Sequence, residues 1–118
     1  MVDLVGTCPK GFWEEWLAEG DAAGEPATGQ EYEWHTGSRA ISKINEGDRF
    51  YVVAHGKLRG WSTVIAVHQD DNYPGGFIVR GAHAVACTID RPIPGFRGLR
   101  ERWWQWSDEK SFPDWRVP

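Results

Sequence analysis

The sequence predicts an α+β fold that is mainly β: a small pseudo-barrel of about five or six short strands with one early N-terminal helix. Three observations lead there. Runs rich in Val, Ile, Phe, Tyr and Trp recur between turns marked by Gly, Asp and Pro, as in "RFYVVAH", "LRGWSTVIAVH", "FIVRG" and "HAVACTI". Only one stretch carries clear helical spacing, so no βαβ alternation is expected. The 118 residues suit a single domain over the whole chain, 1–118.

"VDLVGT" alternates weakly and reads as a first strand. "CPKGFWEEWLAEG" follows as the helix, with Pro9 suited to its first position and Gly20 to its exit. Phe12, Trp13, Trp16 and Leu17 form one apolar stripe, while Glu14, Glu15 and Glu19 lie elsewhere. "GDAAGEPATG" is a loop by composition. "QEYEWHT" reads as a strand, with Tyr32 and Trp34 on one face and Glu31, Glu33 and His35 on the other. "GSRAISKIN" is open between a loop and a short helical turn.

After the turn "EGD", "RFYVVAH" and "LRGWSTVIAVH" form a hairpin. Taking Gly56–Lys57 as a type II′ turn pairs Val53 with Gly60 and Val52 with Trp61. Trp61 then shares an apolar face with Phe50, Val52 and Ala54, and Gly60 marks a close approach or sharp bend. Arg59 lies near the turn, where its head can reach the rim while its stem packs. "QDDNYPGG" is a loop, and "FIVRG" and "HAVACTI" read as two further strands. "PIPGFRGLRERWWQW" bends into a short helix or a closing strand. Residues 107–118 form a tail packed on the domain through Phe112 and Trp115.

Net charge is −4, which argues against coating nucleic acid by charge alone, since that needs a broad basic field. It leaves room for a pocket that reads one or two nucleotides. Charge is uneven: Arg91, Arg97, Arg100 and Arg102 face only Glu101 in "RPIPGFRGLRER". Eight tryptophans imply an aromatic-heavy core or exposed stacking surfaces. Cys8 and Cys87 have neither disulfide-framework nor zinc spacing and read as buried free thiols. His35, His55, His68 and His83 show no metal-ligand spacing, and no Walker loop or Gly-x-Ser-x-Gly motif is present, so neither metal nor cofactor is expected. No apolar run approaches a membrane span and the start lacks signal-peptide character; a cytoplasmic protein is expected.

One arrangement carries a resemblance. In "EGDRFYVVAHGKLRGWSTVIAV", Gly47-Asp48 opens a strand and a hairpin returns through "GKLRGW"; "RPIPGFRG" falls near the end. With an early helix and strand before it, this order resembles the PUA-like superfamily, and within it the ASCH and EVE domains, from about Val2 to Trp104. The resemblance implies a pseudo-barrel with helices plugging its openings, a cleft beside the first helix, and a bacterial or phage-type source. Relatives take RNA or modified bases in such clefts, and some ASCH members look like hydrolases of nucleic acid or nucleosides. ASCH domains often carry Gly-x-Lys-x-x-Glu-x-Arg. With Glu33 in the Glu place, this chain has Thr28, Gln30 and His35 in the Gly, Lys and Arg places. The missing Lys puts binding ahead of hydrolysis.

The expected function is therefore a binding module for RNA, a nucleotide or a modified nucleobase held between the first helix and the barrel. Trp34 is the stacking candidate, against a plainer role in the core. Lys10, with Thr7 and the Gly11 backbone, is placed to meet an anion at a helix start, or is a solvated surface lysine. Arg39, in a loop with Ser38 and Lys43, has a planar fork suited to phosphate or a base edge. Arg59 is a further cationic candidate. Glu33 and His35 can read a base edge, act as an acid–base pair in a small hydrolase, or simply face solvent. Trp103, Trp104 and Trp106, near Arg100 and Arg102, either close the barrel or dock a protein partner.

Overall fold

The computed structural model describes residues 3–19, 32–36, 43–69 and 76–118. The loops expected around 20–29 and 70–75, and the stretch 37–42 that includes Ser38 and Arg39, lie outside the described residues. In chain order the elements are β1 (Leu4–Thr7), a 3-10 turn (Lys10–Phe12), α1 (Trp13–Glu19), β2 (Tyr32–Thr36), β3 (Arg49–Ala54) and β4 (Lys57–Gln69). Then come β5 (Gly76–Val85), β6 (Cys87–Thr88), β7 (Leu99–Glu101), a further 3-10 turn (Trp106–Asp108) and β8 (Lys110–Ser111). Six strands form one sheet in the order β2-β5-β4-β3-β1-β7, and β6 pairs with β8. Among the described residues, only β1 and β3 pair in parallel. The class is α+β, mainly β, and the sheet curls into a half-barrel.

β3 explains the core. Its run "RFYVVA" is apolar after Arg49, and both of its faces are covered, as suits a central strand. Phe50, Val52 and Ala54 pack with Leu4, Trp13, Trp16, Val64, Ile78 and Trp115. Tyr51 and Val53 pack on the other side with Val5, Leu58, Cys87, Ile89, Ile93 and Trp104. The turn before β3 is built by Gly47, whose φ of 92° favours glycine, and by Asp48, whose Oδ2 accepts from the Asn45 N–H at 2.9 Å.

The hairpin differs from the sequence expectation by one residue. The turn is His55–Gly56, with φ of 50° and 75°, the pair of positive values a type I′ turn requires. Val53 then pairs with Leu58, and Val52 with Gly60, leaving Arg59 as the extra residue of a β-bulge. Tyr51, not Val52, faces Trp61. A one-residue shift moves a side chain to the opposite face, so Trp61 packs in the Tyr51 group rather than with Phe50. Strand β5 runs unbroken where two strands were expected; the separate piece is the two-residue β6.

The helix stripe is also corrected at one end. Trp13 and Trp16 are buried, but Phe12 is 57% exposed. It belongs to the 3-10 turn, whose tighter winding takes it off the α-helical face. The segment after the proline bend closes the sheet as β7, against β1. The tail is anchored by Trp115, whose ring meets that of Trp16 edge to face at 5.1 Å. Among the described residues, no helix is long and apolar enough to cross a membrane.

Candidate functional site

The two edge strands of the sheet, β2 and β7, curl toward each other over β1. Gly6 shows how close they come: a Cβ there would lie 2.9 Å from Phe50, 3.0 Å from Leu99 and 3.1 Å from Trp34. Beside this approach lies a cleft of about 670 Å³, within the range of small-molecule sites. One wall is the end of β1 and the helical entry, with Thr7, Cys8, Pro9, Phe12, Glu15 and Trp16. A second is Glu33 to Thr36 of β2, backed by Arg80 of β5. The third is the loop before β7, from Phe96 to Leu99.

Each wall is held by a local device. Trp34 pairs across to Ile78 and is tilted against Phe50 at 4.9 Å, so its ring is half buried in the core and half in the cleft. Arg80, opposite Tyr32, shares that face, and its guanidinium lies 5.5 Å from the Trp34 ring centroid. Arg80 is almost wholly buried. The Phe96 N–H donates to the Thr7 hydroxyl at 3.2 Å, tying the third wall to the end of β1. Gly98, with φ of 72°, permits the turn that follows. Trp16 Nε1 and Thr36 Oγ1, both from cleft-lining residues, have no hydrogen-bond partner among the described residues.

Of the residues singled out from sequence as ligand candidates, Thr7, Glu33, Trp34 and His35 meet here. Glu33 and His35 are exposed, and His35 rests on Phe77 at 5.9 Å. Lys10 is exposed on the helical turn but does not line the cleft. Arg39 lies outside the described residues. Arg59 requires a correction, because it reaches no rim. The bulge aims it inward, where it is fully buried and donates to the carbonyls of Ala54, Trp115 and Val117. Trp13 and Phe112 flank its guanidinium at 5.1 and 5.4 Å. Burial pushes its pKa below the ordinary value.

Arg80, Phe12, Phe96 and Arg97 were not marked by sequence reasoning as members of this site. "FIVRG" reads as an apolar strand with one charge, and nothing local says that the charge faces a cleft. The basic run "RPIPGFRGLRER" was visible, but its place beside β2 depends on long-range pairing.

The tryptophan cluster divides. Trp104 is 2% exposed and donates from Nε1 to Glu109 at 2.9 Å, which makes it core. Trp106 is 53% exposed, yet Nε1 donates to Asp3 and its ring carries Arg49 at 4.6 Å. Trp103 is 48% exposed. No group of acidic, His or Cys side chains suited to a metal occurs among the described residues. Comparison with family models, curated proteins and solved structures finds no match.

Proposed function

We propose that this chain is a binding module that takes a nucleobase, as part of a nucleotide or of RNA, into the cleft between the helical entry and the sheet. The observation that carries this reading is the convergence of Trp34, Phe12 and Phe96 from three separate segments on one cleft backed by Arg80. Flat aromatic walls favour a flat ligand, and stacking contributes ~1–3 kcal/mol per base. Glu33 and His35 supply an acceptor and an imidazole for base edges. Arg97, exposed at the mouth, supplies charge for a phosphate. A modified base fits the same chemistry, since the cleft is open enough to accept an added group.

Calorimetric titration with nucleoside monophosphates and modified nucleosides tests this. At least one is expected to bind, and Trp34→Ala is expected to weaken it roughly 5- to 150-fold, matching the stacking energy. Absence of binding across the panel, or an affinity indifferent to Trp34→Ala, would sink the proposal.

A small hydrolase of RNA or modified nucleosides is the second reading. Glu15 supports it, standing across the cleft from Glu33 and His35 and adding a second carboxylate. Turnover that disappears in Glu33→Ala would favour it over simple binding.

A further inference from the structure

We infer that the cleft is one end of a track for single-stranded nucleic acid, and that Phe96, Arg100 and Trp103 form the position for the adjoining nucleotide. The inference rests on the nucleobase reading of the cleft and deepens it. Phe96 is the joint. It lines the cleft, and its ring meets Trp103 edge to face at 6.1 Å. Trp103 is held in turn by the buried Trp104, edge to face at 5.1 Å. An exposed indole held edge to face by two rings is a rigid platform, so little side-chain entropy is lost when a base stacks on it.

Charge points the same way. Four arginines lie between residues 91 and 102. Arg91 pairs with Asp108 at 3.5 Å, and Arg102 with Asp3 at 3.3 Å. Arg97 and Arg100 have no ion-pair partner among the described residues. Both are exposed, one lining the cleft and the other with its guanidinium 4.2 Å from the Phe96 ring centroid. The two uncommitted cations thus flank the joint between the two stacking positions, where a linking phosphate would run. In β7, Leu99 lines the cleft while the neighbouring Arg100 points to the other face, so the track rounds the sheet edge. With a net charge of −4, the protein suits a contact of two nucleotides rather than a long groove.

The test is binding as a function of length, with a mononucleotide, a dinucleotide and six-residue single strands of RNA and DNA. The dinucleotide and hexamers are expected to bind at least fivefold tighter than the mononucleotide. Trp103→Ala and, separately, Arg100→Gln are expected to remove that advantage, and Arg100→Gln to flatten the salt dependence of hexamer binding. A mononucleotide as tight as the hexamers, or a length effect that survives both variants, overturns the second position while leaving the cleft reading intact. So does Trp103-dependent binding of an acidic peptide with no length effect for nucleic acid. If no length binds, or if Trp34→Ala leaves every affinity unchanged, the cleft reading falls and the track with it.

Discussion

Gly6 and Arg59 are the residues on which local geometry depends most. At Gly6 the ring of Trp34, the ring of Phe50 and the methyl of Leu99 leave no room for a Cβ. Gly6→Ala is expected to cost about 1–3 kcal/mol, the usual penalty of overpacking, and to spread the cleft walls. Gly11 is the internal control, because a Cβ there meets nothing within 4 Å. Urea unfolding of the two variants checks this; equal midpoints would show that Gly6 is not a contact point. At Arg59 the residue type was legible but its direction was not. "GKLRGW" looks the same with or without a bulge, and one extra residue turns a rim cation into a buried clamp for the tail.

At the scale of elements, the third cleft wall is tied to β1 at both ends, by the pairing of Leu99 with Gly6 and by one side chain at Phe96. The Thr7 hydroxyl accepts from the Phe96 N–H, and among the described residues Phe96 itself lies outside the strand pairing that begins at Leu99. Thr7→Val keeps the shape and removes the acceptor, so it is expected to cost about 1–2 kcal/mol. Amide exchange at Phe96 should accelerate while the amides of β3 stay protected; unchanged exchange at Phe96 would show that the loop is held some other way. Strands β1, β3 and the start of β4 were readable because apolar runs end at turn residues. The single long β5 was not: Gly81 looks like a break, yet it is where β5 passes close under Ile65, with a Cβ position 3.0 Å from that side chain.

For the whole molecule, the C-terminal half closes the second face of the sheet through a polar network around Glu109. Its carboxylate accepts from Tyr51 Oη at 2.7 Å and from Trp104 Nε1, and lies 3.9 Å from Cys87 Sγ. Burial first, and the Glu109 charge second, push the Cys87 thiol up to about 12. Burial, with the hydrogen bond to Glu109, likewise raises the Tyr51 phenol. Both groups hold their protons more tightly folded than unfolded, so their contribution is complete below the ordinary thiol value. For Cys87 it is lost as pH climbs from about 9 toward 12, and for Tyr51 only as pH passes 10.0, by roughly 1 kcal/mol per pH unit for each group. Wild type should therefore lose stability faster than Cys87→Ala between pH 8.5 and 10.5. Parallel curves in chemical unfolding would show that the thiol is not shielded.

Composition and pattern alone determined the mainly β class, the early helix, the strong central hairpin and the packed tail, because each depends on local periodicity and turn chemistry. They also marked Glu33, Trp34 and His35, since alternation along one strand is a local property. Only the tertiary structure decided that β2 and β7 meet over Gly6, that Arg80 and Phe96 join Trp34, and that Arg59 turns inward while Trp103 stays out. Those placements depend on sheet order, a bulge and contacts between residues far apart in the chain, and none of these leaves a periodic trace in the sequence.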